Sequence, residues 1–381
     1  MAEVDAAGGF GDGGSMGLWH DRRVVRFVVL LALIPAVAGA AALPALAGRA
    51  APAAGTSYVA AGQLSAVTTI GRDNAWAAGV TAASKSLIVH WNGRSWKRVR
   101  SPSPGGRVFI NGIDAVSAAN VWVVGESGRY QALILHWNGR AWTQVPVPAG
   151  RSSVLDGVAA TSARNAWAVG LARGRTLILH WNGSRWRRVS SPDPGGPGSR
   201  LMSVTARTTR DAWASGTTAS SKTLLAHWNG HAWKLVPAPS PGGSAILSGV
   251  AMRSASDAWE VGEGGGEKTV ALHWNGGAWR HVATPSPYDP VAREGSFLDS
   301  VAIVSARSAW AVGGVMATNK TLILHWNGTS WNQLRSPSPR CDIQLDGVAA
   351  ASATSAWAVG GSLCHSQPRT LIEHWNGTRW S

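Results

Sequence analysis

Three sets of side chains in this 381-residue chain have types and spacings that suit chemistry. The first is cationic. Lys85, Arg175, Lys222, Lys268, Lys320 and Arg369 each stand two residues ahead of a Leu or Val in a phrase of the TLILHW kind, and Gln131 holds that place in one further copy. Positive groups at one repeated position focus field toward an anionic ligand such as an acidic glycan, an envelope polymer or a phospholipid head. Their plainer role is a solvated charge that discourages pairing of exposed strand edges. The second set follows the Leu or Ile of an L-x-x-V phrase: Ser65, Asn111, Asp156, Met202, Ser248, Asp299 and Asp346. Carboxylates, hydroxyls and an amide aimed at a common axis suit a cation or ordered water, or simply line a wet channel. The third set is acidic. Glu260 replaces the Ala of a recurring AWAVG, with Glu263, Glu267, Tyr288, Asp289 and Glu294 close behind in the chain. A carboxyl beside Trp259 is a candidate perturbed acid, and two such groups make a glycosidase centre. No spacing here selects a pair, so Glu260 is the single catalytic candidate.

The two cysteines, Cys341 and Cys364, flank one hairpin whose turn falls near 352–353. In an exported chain they are expected to form a disulfide. With His365 they supply too few ligands for zinc, so neither a metal nor a cofactor is expected.

These residues sit on a repeat. HWNG occurs with His90, His136, His180, His227, His273, His325 and His374; a phrase close to AWAVG is centred on Trp76, Trp122, Trp167, Trp213, Trp259, Trp310 and Trp357. A third Trp follows each HWNG: Trp96, Trp142, Trp186, Trp233, Trp279, Trp331 and Trp380; of the 22 tryptophans only Trp19 is outside these sets. A period of about 46 residues lies in the range of propeller blades. Each unit reads as four short strands: A, the L-x-x-V stretch; B, AWAVG; C, TLILHW; and D, from the third Trp. Asn-Gly makes the C–D reversal because both residues accept positive φ, and the SPSPGG-type linker ends D, since proline cannot continue a ladder. Strand C is apolar at consecutive positions, which implies burial of both sheet faces. The end units are as apolar as the middle ones, so a closed ring is favoured over an open stack with polar caps.

The expected fold is therefore all-β: a seven-bladed propeller of four-stranded antiparallel blades over 59–381. The blades fall roughly at 59–102, 103–148, 149–192, 193–239, 240–285, 286–337 and 338–381. The chain stops at Ser381, just past the third Trp of the last unit, so residues around Thr56–Ala60 are expected to complete that blade. The repeated His are expected to be core groups bonded to a neighbouring turn. The B–C loops and D–A linkers, with the cations, fall on one face and the HWNG turns on the other.

Ahead of the ring lie a polar, Gly-rich and basic leader (1–26), an apolar run (27–47) and a linker (48–58). The run follows Arg22, Arg23 and Arg26 and ends among small residues, as the apolar region of a signal peptide does; its length also allows a membrane anchor. Both place the bulk of the chain outside the cytoplasm. Only 14% of residues are charged, and the imbalance is one of sign, 35 Lys and Arg against 20 Asp and Glu, net +15.

The combination of AWAVG, TLILHW and NGxxW resembles the secreted bacterial propellers grouped with Asp-box (BNR) repeats and the photosystem II assembly propellers. The resemblance covers about 59–381. HWNGTSW has Asn where the Asp-box has Asp, with shorter spacing, and the sialidase-like Arg triad, Tyr and Glu have no counterparts at matching positions. The expected function is an exported binding or scaffold module, monomeric, for a glycan, an anionic envelope polymer or a protein. The alternatives are a propeller-type glycan hydrolase and an assembly factor. Nucleic acid fits less well, because the sequence sets no aromatic residue beside the cations.

Overall fold

The structure is a computed structural model and describes residues 58–128, 130–288, 294–316, 320–337, 342–364 and 366–381. These residues form seven antiparallel sheets, six of four strands and one of three, and in every sheet the strand order follows the chain. Blade 1 shows the pattern: A is Gly62–Gly71, B is Asn74–Thr81, C is Ser86–Trp91 and D is Trp96–Val99. The A strand of blade 1 packs beside those of blades 2 and 7, which closes the ring. Among the described residues no helix is long and apolar enough to cross a membrane.

The C strands are buried on both faces, as their unbroken apolar runs imply: Leu87, Ile88 and Val89 are all 0% exposed. The joints between blades are aromatic. Trp76 of blade 1 meets Trp137 and Trp142 of blade 2, with ring centroids 5.3 and 5.6 Å away. The arrangement recurs at every joint, and at closure Trp357 meets Trp91 and Trp96 of blade 1 at 4.9 and 5.0 Å. The D-strand indole stands edge-on to its neighbour, the geometry favoured by aromatic quadrupoles. Each indole buries about 150–250 Å², which at about 25 cal/mol per Å² contributes several kcal/mol before ordering entropy is subtracted.

A β-bulge explains the final glycine of AWAVG. In blade 1 the A–B register slips between Leu64 and Ala66, and the same slip recurs in the other six blades. The bulge drives the A-strand backbone against B, so a Cβ on Gly79 would stand 2.1 Å from the Gln63 carbonyl oxygen. A side chain there is sterically excluded.

The expected closure by the N-terminal segment is present from Tyr58 onward; Thr56 lies outside the described residues. In blade 1 the Ser86 hydroxyl donates to the Pro102 carbonyl (2.8 Å), and the Ser86 N–H donates to the Ser103 hydroxyl (2.9 Å), which anchors the linker. Blade 7 has Thr370 at this position. Its hydroxyl donates to the Tyr58 carbonyl and accepts from the Ala60 N–H, both at 2.9 Å. Its own N–H donates to the Ala60 carbonyl at 3.0 Å. At the other end of the same C strand, His374 and Ser381 exchange backbone hydrogen bonds of 2.9 and 3.0 Å. The place of a fourth strand is thus shared by the two ends of the described chain.

Candidate functional site

The C-strand register brings Lys85, Gln131, Arg175, Lys222, Lys268, Lys320 and Arg369 to one rim, and all of them are exposed. Three of the cations have internal partners. Lys85 Nζ donates to the Gly106 carbonyl at 2.6 Å, and Lys222 Nζ donates to that of Gly243. Arg175 pairs with Asp193 at 2.8 Å. All three acceptors lie in the proline-glycine linker that leaves the same blade. Hydroxyls one residue further on hold the same linkers, as when Thr176 donates to Pro192 and Thr223 to Ala238. In these blades the cation is therefore half of a linker clamp as well as a surface charge.

The second set is placed by the bulge. Ser65, Asn111, Asp156, Met202, Ser248, Asp299 and Asp346 are the residues skipped in the A–B register of their blades. Three of the polar members bond sideways to a neighbouring blade. Arg200 of blade 4 grips Asp156 of blade 3 through both carboxylate oxygens, at 2.8 and 2.5 Å. Asp346 accepts from Gln63 of blade 1 (2.7 Å) and from Gln344 (2.6 Å). Asn111 donates to the Leu155 carbonyl at 2.9 Å. The next position in two blades adds more such bonds, since Ser203 and Ser300 accept the N–H groups of Val250 and Val348. Among the described residues no three His, Cys, Asp or Glu converge as a metal site would require.

Glu260 is fully buried in the joint between blades 4 and 5, among Trp213, Leu225, Leu247 and Leu272. Neither carboxylate oxygen has a hydrogen-bond partner. Burial pushes its pKa well up, opposed by Ser215 of blade 4. The catalytic candidate of the sequence thus stands inside a blade joint rather than on an exposed loop. The acids expected beside it are elsewhere: Glu267 accepts the Gly295 N–H at 3.0 Å, Tyr288 and Glu294 are exposed, and Asp289 lies outside the described residues. Cys341 and His365 lie outside them too, while Cys364 ends the B strand of blade 7, Ser355–Cys364.

Sequence reasoning passed over three groups. Glu373, in TLIEHW, is buried in the last blade where most copies have Leu, and burial pushes it up to about 7 against the Ser336 hydroxyl. Asp114 is pushed up to about 6, chiefly by burial, although the Ala160 N–H and the Thr68 hydroxyl donate to it. Arg200 is the third. For Glu373 and Asp114 the available signal was a charge at a position that is apolar or small in sister repeats; for Arg200 it was a charge where sister repeats have an apolar residue or Gln.

The repeated histidines are structural, as expected. His90, His136 and His180 meet Asn74, Asn120 and Asn165 at 2.8–3.1 Å. His227 and His273 meet Asp211 and Asp257 at 2.9 Å, while His325 and His374 meet Ser308 and Ser355. Each imidazole also packs on the B-strand indole of its own blade, as His136 does on Trp122 at 4.0 Å. Burial lowers the pKa of His90, His136, His180 and His325.

No protein-family model and no curated protein matches the sequence. Solved structures do share the fold. YCF48 bound to a D1 peptide superposes with a TM-score of 0.56 at 15% identity, covering 86% of this chain and 99% of that one. A chain of the mitotic checkpoint complex gives 0.56 at 11% identity, with 90% and 98% covered. A six-bladed fucose-recognising lectin from Aleuria aurantia gives 0.51 at 14% identity, with 74% and 95% covered. Identities this low establish a β-propeller and nothing finer.

Proposed function

We propose that this chain is an exported binding or scaffold module whose loop face takes an anionic or glycan ligand. The observation that carries the reading is the exposed rim on which six of seven equivalent positions are Lys or Arg. A rigid ring holds these charges without reorganisation, so the field toward a polyanion exists before binding. The burial of Glu260 supports a binding reading over a hydrolase one. Export is supported by the basic residues ahead of the apolar run 27–47; N-terminal sequencing of the mature protein would find a start near residue 48 for a signal peptide.

The test of the rim is Lys268→Glu with Lys320→Glu and Arg369→Glu, which leaves the linker clamps of Lys85, Arg175 and Lys222 untouched. Retention of the 48–381 chain on an anionic polysaccharide matrix is expected to weaken. Unchanged retention removes the rim as the binding surface.

A further inference from the structure

The face opposite the loop rim is built from the A–B turns and the HWNG turns, and arginine alone supplies its cationic side chains apart from histidine. Arg94, Arg140, Arg185 and Arg379 follow the Asn-Gly pairs and are exposed. Their backbone N–H groups are held by Asn92, Asn138, Asn182 and Asn376 at 3.0–3.1 Å. The turn fixes each backbone while the guanidinium reaches into solvent. Arg164 and Arg307 come from A–B turns and lie across Gly183 and Gly328, where an added Cβ would be 2.9 Å from their Cγ atoms. No lysine occurs in these turns. Two of their carboxylates are already neutralised: Asp211 by Arg207 and Asp257 by Arg253. Between the arginines lie the half-buried indoles Trp137, Trp181 and Trp228. Their Nε1–H groups donate to turn carbonyls at 3.0–3.1 Å, so it is the ring rather than the donor that remains for a partner.

We propose that this turn face is a second binding surface, independent of the loop rim, for a linear polysaccharide carrying phosphate or sulfate esters. The guanidinium fork is always charged and matches oxyanions bidentately, which an ammonium does not. Spreading the arginines over many blades suits an extended chain rather than one small anion. Apolar indole surface beside them suits the C–H faces of sugar rings.

The test replaces Arg94, Arg140, Arg185 and Arg379 with Ser. Other blades already carry Ser184, Gly277, Thr329 or Ser330 at these turn positions, so the fold tolerates the change. A charge-matched control replaces Lys97, Arg187, Arg188 and Arg280, exposed on the outer strands, with Ser. Binding to heparin and to a poly(glycerol phosphate) is measured against salt. The turn variant is expected to bind at least about tenfold more weakly at ~0.1 M salt, with the slope of log K against log salt reduced by about 3, both on the wild-type background and on that of the loop-rim variant, while the control stays near wild type. The two probes separate sulfate from phosphate recognition. Equal losses in the turn variant and the control would show nonspecific cation exchange and overturn the proposal. Tighter binding of single-stranded DNA or of anionic vesicles at the same ionic strength would overturn it as well. A loss confined to the rim variant would defeat this proposal and leave the loop-face reading standing.

Discussion

Glu373→Gln keeps the shape of a buried side chain and removes its ability to ionise. In the folded protein Glu373 is 1% exposed, and the Ser336 hydroxyl meets its two oxygens at 3.0 and 3.2 Å. Burial raises its pKa from 4.5 to about 7. Between those values the folded chain holds a proton that the unfolded chain releases, so the group's stabilisation is complete below pH ~4.5 and is lost as pH rises through ~7. A shift of about 2.5 units at about 1.4 kcal/mol each gives about 3 kcal/mol. Glutamine has no such loss, and its amide oxygen still accepts from Ser336. The assay is urea unfolding followed by tryptophan fluorescence, on both proteins, at intervals from pH 5 to 8.5. The variant should gain about 3 kcal/mol on wild type across that range. Histidines, whose lowered pKa values act in the opposite direction, are common to both proteins and cancel. Parallel pH curves would refute the reasoning, because they would mean that Glu373 ionises as readily in the ring as in the unfolded chain.

Glu260→Ala with Ser215→Val restores the Ala and Val that most sister blades carry at these positions, and should raise stability at pH 8 by about 1–3 kcal/mol by removing unpartnered buried polar groups; thermal unfolding reads this directly. Thr370→Val cuts two hydrogen bonds to the entering segment and should cost about 1–3 kcal/mol, whereas Ser86→Ala in blade 1, with the linker covalently continuous, should cost less in the same melt. For Cys341 and Cys364 we propose a disulfide, since the pair Asp342 and Leu363 is the last in register before them; the unreduced intact mass should be about 2 Da below the reduced one, and equal masses would exclude the bridge.

The ring was legible because its determinants are local and repeated. Asn-Gly marks every C–D turn, the unbroken apolar C strands mark two-sided burial, and the indoles mark the joints. The set that follows the Leu or Ile of strand A falls on a β-bulge in all seven blades, and the bulge shows in the sequence only through the glycine facing it across the pair. The site was less legible because the same side chain does different work in different places. Lys85 and Lys222 clamp linkers, a fact decided by the conformation of Gly105–Gly106 and Gly242–Gly243, with φ of 70–86°. Glu260 was visible as an exception, but nothing in the string of letters says whether an exceptional carboxyl faces solvent or a neighbouring blade. Glu373 was equally visible and passed over, since TLIEHW still reads as a strand.

Because each joint presents the same indole triplet, any blade's leading side is chemically compatible with any other blade's trailing side. Such a surface carries no address. During folding at high concentration, the first units of one copy can dock on the last units of another as readily as on their own. The clasp of Tyr58 and Ala60 on Thr370, with Gln63 on Asp346, distinguishes the closing joint, so it is this small polar seam, rather than the much larger aromatic area, that guards against domain-exchanged dimers.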